Sequence, residues 1–192
     1  MPMPKAITLI EPIEWTADGW YRTKSTATPI KTDPSIKHGL SLSDDFEGPE
    51  SGLQWTFWKE YAPQSLSFKK QTLWMDAKGS TPSDARLLLT TAEDKNYETQ
   101  VEVNVGKGNT AGLLLYYSEK AYFGVVSDGK DFTIYRNAEN SFTLPNKLGK
   151  RFLAKIQNQG NSVRLAVSKD GKEWTTLVEN MDVSQLREGY RC

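Results

Sequence analysis

The sequence lacks the residues on which many active sites depend. Its 192 positions hold one histidine, His38, and one cysteine, Cys192. A single thiol closes no internal disulfide, so cysteine usage leaves the redox compartment open. A single imidazole excludes a zinc site built on several histidines, and His38, beside Gly39 in a polar stretch, reads as solvated rather than as the base of a catalytic triad. Charge of one sign is missing as well. The 24 basic and 24 acidic residues cancel, and neither kind forms a long block, so nucleic acid and anionic membrane surfaces are not expected partners. No run approaches the roughly 18 apolar residues of a membrane-spanning helix. The opening MPMPKAITLI, with two prolines and a very short apolar run, is not a signal-peptide pattern. Gly106-Lys107-Gly108 leads into a strand pattern rather than a helix, which excludes a phosphate loop.

What is present is alternation. Tyr97, Thr99, Val101, Val103 and Val105 alternate with Glu98, Gln100, Glu102 and Asn104. That period of two describes a strand with one buried and one wet face. Residues 152–157 and 163–168 repeat the pattern. AGLLLYYS (111–118) and AYFGVVS (121–127) are separated by Glu119-Lys120, the length of a tight hairpin. Asp128-Gly129 and Asp170-Gly171 supply turn residues that tolerate positive φ. No long segment carries an apolar stripe at helical spacing. The expected fold class is all-β, an antiparallel sandwich or barrel of short strands.

The chain is expected to divide into residues 1–38, a terminal segment and linker, and residues 39–192, a β-sandwich domain. Five prolines fall in the first part, and STATPIKTDPSIKHG (25–39) has linker composition. Ile13, Trp15 and Trp20 are too apolar for a plain tail and are expected to pack against the sandwich or a neighbouring domain.

Several motifs in order resemble one known family. EPIEWTADGW (11–20) resembles the closing strand of the five-bladed propeller of family 43 β-xylosidases. HGLSLSDDFEGPESGLQWTFWKE (38–60), LWMDAKG (73–79), YETQVEVN (97–104), AGLLLYYSEKAYFG (111–124) and SKDGKEW (168–174) resemble the sandwich appended to those propellers. The resemblance implies a concanavalin A-like jelly-roll β-sandwich of two antiparallel sheets. It also implies an accessory, non-catalytic module. In that family the catalytic carboxylates sit on the propeller, upstream of the stretch matched here. Its sandwiches continue past the equivalent of residues 181–184 to a final strand, where this chain ends QLREGYRC. The implied function is binding of β-1,4-xylan or xylo-oligosaccharides. The alternative is a structural domain that packs on the propeller and helps shape its active site; an autonomous glycoside hydrolase comes third.

The candidate sugar-binding residues are Trp58, Trp74, Glu98, Gln100, Glu102, Tyr116 and Tyr122. Tryptophan and tyrosine offer a ring face for the C–H surface of a sugar and a polar edge for its hydroxyls. Parity puts Leu53, Trp55 and Phe57 in the core and turns Thr56 and Trp58 outward; for Trp74 it leaves the side open. Tyr116 shares a face with Gly112 and Leu114. Glu98, Gln100 and Glu102 share one strand face. The i and i+4 positions of a strand lie ~13 Å apart, beyond the roughly 5–9.5 Å between the carboxyls of glycosidases. The row resembles the E-x-D-x-E strand of jelly-roll glucanases, with Gln100 at the central aspartate. Catalysis is therefore not expected. SKDGKEW reads as a turn with Trp174 packed over it. Asp44 and Asp45 stand at the start of the sandwich, where Asp45 is a candidate ligand of a structural calcium ion and strand-start capping is the competing reading. No cofactor is required.

Overall fold

The computed structural model describes residues 13–23, 41–92, 95–138 and 141–184. His38, Cys192, the linker 25–39 and the closing QLREGYRC lie outside them. The chain divides into two units, Met1–Gly39 and Leu40–Cys192.

In the first unit β1 (Ile13–Trp15) and β2 (Tyr21–Thr23) form an antiparallel hairpin, with Trp15 opposite Tyr21 and Ile13 opposite Thr23. The Thr16 N–H donates to the Trp20 carbonyl at 2.7 Å, and the Thr16 hydroxyl donates to the Asp18 carboxylate. Gly19 takes φ +84°, a conformation that side chains other than glycine rarely adopt.

The second unit opens with a loop-rich arm. Four short strands interrupt it: β3 (Thr56–Phe57), β4 (Leu66–Phe68), β5 (Leu73–Met75) and β6 (Leu88–Leu89). They pair antiparallel as β3–β6 and β4–β5. Pro63–Ser65 forms the one helical turn among the described residues.

Eight longer strands follow. They are β7 (Asn96–Asn104), β8 (Ala111–Ser118), β9 (Ala121–Ser127), β10 (Asp131–Tyr135), β11 (Ser141–Pro145), β12 (Arg151–Gln159), β13 (Ser162–Ser168) and β14 (Trp174–Asp182). One antiparallel sheet runs β11-β10-β9-β8 and the other β14-β13-β12-β7. Each buries its alternate side chains in a common core. Leu113, Phe123, Val125, Phe132 and Ile134 come from the first sheet, and Val103, Phe152, Ile156, Leu165 and Val167 from the second. The Phe132 and Phe152 rings meet edge to face across the two sheets at 5.1 Å. This is the expected all-β sandwich, and the alternation in 97–105 and the hairpin at Glu119-Lys120 fall where the sequence puts them.

The parity reading of residues 53–58 needs correction. Only Thr56 and Phe57 are strand, and Leu53 sits in a turn with 88% of its surface exposed. Alternation carries no information outside a strand. Trp55 is half-buried because its ring stacks on Phe46 while its indole N–H donates to the Asp44 carboxylate at 2.7 Å.

Candidate functional site

The seven candidate residues do not share one surface. Glu98, Gln100 and Glu102 lie on the outer face of β7, opposite Gln157, Lys155 and Leu153 of β12. That face belongs to one sheet. Tyr116 and Tyr122 lie on the outer face of the other, paired across β8 and β9.

The glutamate row is exposed and engaged. Glu98 meets the Lys155 ammonium at 2.7 Å and accepts from the Gln157 amide at 2.6 Å. Lys155 holds its carboxyl below the ordinary carboxylate range. Glu102 is ion-paired with Arg151. Lys155 also stands 4.1 Å over the centre of the Trp174 ring, so cation and aromatic cover one another. The SKDGKEW turn is structural as expected: the Asp170 carboxylate accepts from the backbone of Lys172 and Glu173, and the Trp174 indole donates to the Gly171 carbonyl.

On the other sheet the arm roofs the aromatic face. Trp58 meets Tyr116 edge to face at 5.2 Å, and Tyr116 stacks on Tyr122 with planes 9° apart. Ser83 of the arm sits 3.2 Å from the Tyr122 hydroxyl and donates to the Glu119 carbonyl at 2.8 Å. Lys59 clasps Glu119 at the edge. The expectation that Tyr122 offers a ring face is therefore corrected: only 1% of its surface is exposed. Trp58 does not simply point outward either, since it is half-buried against Tyr116. Trp58 Nε1 and the Tyr116 hydroxyl are both buried without a hydrogen-bond partner. Desolvation first, then Glu119 and Tyr122, pushes the Tyr116 phenol up to about 12. Ser83 was not legible as a partner of Tyr122, because 39 residues separate them.

Trp74 is different. It stands on β5 with 57% of its surface exposed.

Asp45 is exposed, and its carboxylate accepts from the Glu47 backbone N–H at 3.1 Å. Asp44 spends both oxygens on donors: the Phe46 N–H, the Gln54 amide and the Trp55 indole. A depression of about 530 Å³ is lined by Ser43, Asp44, Asp45, Gly48, Glu50, Gly52 and Gln54. Among the described residues no group of three or more His, Cys, Asp or Glu side chains is placed to hold a metal ion.

The hairpin of the first unit carries three exposed aromatic side chains within eleven residues, while in the second unit Tyr61 is exposed by itself at 83%. Trp15 is 71% exposed, Trp20 72%, Tyr21 60% and Ile13 51%.

The elements of the second unit make a two-sheet antiparallel sandwich with a loop-rich arm over one outer face. Residues 43–191 match the β-xylosidase C-terminal concanavalin A-like domain family, and the chain belongs to that family. Solved structures of similar fold include the GH43 BlXynB protein from Bacillus licheniformis, at 22% identity and a TM-score of 0.69 over 92% of this chain and 38% of that one. The xylan β-1,4-xylosidase from Bacillus halodurans C-125 follows at 17% identity and 0.67, over 93% and 40%. The xyloglucan PUL GH43B protein of Bacteroides ovatus gives 14% and 0.64, over 92% and 39%. The chain thus spans about two fifths of the length of these proteins. Comparison with curated proteins gives no match.

Proposed function

We propose that this chain is a non-catalytic accessory domain of a β-xylosidase, and that its hairpin Ile13–Thr23 docks it on the enzyme's catalytic propeller. The observation that carries the reading is the exposure of Ile13, Trp15 and Tyr21 on two strands of three residues each, and of Trp20 in the connection between them. An isolated two-stranded hairpin is marginal in water. Large apolar side chains gathered on one short element mark an interaction site. The partner is argued from the family, whose solved members of similar fold are GH43 proteins more than twice this chain's length. Residues 1–38 are then the docking segment and linker, and 39–192 the sandwich it carries.

The test uses catalytic domains of GH43 xylosidases, freed of their own C-terminal domain, as bait. The wild-type chain is expected to be retained by at least one, and Trp15→Ser with Trp20→Ser to abolish retention while the melting temperature holds. Failure of every bait to retain the wild-type chain sinks the reading. An autonomous hydrolase gains no support from Glu98 and Glu102, which are separated along one strand and each paired with a cation. The isolated chain should therefore release no xylose from aryl xylosides. Turnover that disappears in Glu98→Gln would refute that.

Binding of β-1,4-xylan or xylo-oligosaccharides is the second reading. Its support is the one candidate ring that stays open, Trp74.

A further inference from the structure

We infer that the outer face of the β4–β5 hairpin is a carbohydrate subsite, with Trp74 as its platform and Ser67, Lys69 and Asp76 as its hydrogen-bonding rim. The inference names a place for the xylan-binding reading and is independent of the docking role. It starts from register. Ser67 pairs directly with Trp74, and Phe68 with Leu73. The Lys69 N–H donates to the Thr72 carbonyl, and the Asp76 N–H to the Ser65 carbonyl, so the ladder extends one pair beyond the strand at each end. Period-two alternation then sets Lys69, Thr72 and Asp76 on the same side as Ser67 and Trp74. Neighbours along a strand on one face are roughly 6.6 Å apart, and diagonal neighbours across a pair roughly 7–8 Å. A pyranose ring laid on the indole therefore has an ammonium near one edge, a carboxylate near the opposite edge and a hydroxyl beside it.

These groups are free. Among the described residues neither the Lys69 ammonium, the Asp76 carboxylate nor the Ser67 hydroxyl has a hydrogen-bond or ion-pair partner. The contrast with Glu98 and Glu102 is direct, because those carboxylates are already neutralised by Lys155 and Arg151. One cation and one anion flank the ring, so the face carries no net charge and suits a neutral polyhydroxyl ligand better than an ionic one.

The hairpin that carries the platform is braced. From behind, Phe68 packs on Phe46, which stacks on Trp55, which is hydrogen-bonded to Asp44. The far end of β5 is pinned by the Arg86 guanidinium, which donates to the Asp76 carbonyl at 2.7 Å. The turn is made by Lys70 and Gln71 at φ +53° and +55°. Such turns favour Asn-Gly, and left-handed backbone at other residues is strained. Gln71 is tied to Glu47, which holds that turn in place. A braced hairpin loses little backbone freedom when a sugar covers it.

The experiment is affinity electrophoresis of the full chain in gels containing soluble β-1,4-xylan, repeated at low and high salt. Retardation is expected at both. Trp74→Ala should weaken binding about ten-fold with an unchanged melting temperature, Trp74→Phe should keep part of it, and Asp76→Ala should weaken it about five-fold. Trp20→Ser should bind as wild type, which separates this subsite from the docking hairpin. Unretarded wild-type protein overturns the inference. So does retardation untouched by Trp74→Ala, or retardation that vanishes with salt, since the ligand would then be held by charge.

Discussion

Aromatic side chains serve opposite ends in the sandwich core and in the Ile13–Thr23 hairpin. In the sandwich Phe123, Phe132, Phe152 and Tyr122 are buried to within 2% of their surface. In the hairpin Trp15, Trp20 and Tyr21 lie largely in the open. The residue types are alike, and what differs is the number of layers. Eight strands in two sheets can close on themselves, and the arm adds a third layer over Tyr116 and Tyr122. Two strands of three residues cannot build a second layer of their own. Under the proposed docking, that second layer is supplied by the catalytic propeller.

The sharpest way to break this comparison is to remove a ring from the core. Phe152 is 1% exposed and meets Phe132 across the sheets. Phe152→Ala should destabilise the chain by about 3–5 kcal/mol, the usual loss for a large core aromatic. Urea denaturation measures it, and a shift below 1 kcal/mol would show that this core is not what holds the sandwich together.

Next in size is Asp44. Its carboxylate accepts from Trp55, Gln54 and the Phe46 backbone. Asp44→Ala leaves those donors without their partner, for about 1–3 kcal/mol. The emission of Trp55 should shift with it, because the arm loses the bond that fixes that ring.

A smaller effect comes from Glu98. Lys155 depresses its carboxyl, so the folded state holds the proton less tightly than the unfolded chain does. The associated stability is present above the unfolded value of about 4.3 and is lost as pH falls through the lower folded value. The pair is near the surface, so it is worth less than about 1 kcal/mol. Urea midpoints of wild type and Glu98→Gln should differ near neutral pH and converge in acid. Divergence that grows toward low pH would contradict this.

The smallest change in stability belongs to the hairpin. Trp20→Ser should alter it by no more than about 0.5 kcal/mol, while docking is lost. A large destabilisation would mean that Trp20 packs within the chain after all.

Much of the sandwich was legible because a strand with one wet face writes its own pattern. Val101 and Val103 alternate with Glu102 and Asn104, and the structure turns the first pair inward. The turns at Asp128-Gly129 and Asp170-Gly171 were legible for a local reason as well, with both glycines at positive φ. The arm was not. Between residues 53 and 92 the strands are two or three residues long, too short for alternation to have a phase. Leu53 was misplaced for that reason.

The candidate site divides along the same line. The sequence by itself determined the family, the two-layer class and the faces of β7, β8 and β9, because each depends on neighbours a few residues apart. Only the tertiary structure decided which outward rings stay open. Tyr122 is covered because Ser83, 39 residues earlier, lies across it, whereas more than half of the Trp74 surface stays exposed. Whether a side chain on an outer face meets water or protein depends on where a distant segment settles, and that is fixed by the sum of its packing rather than by any pattern in the strand itself.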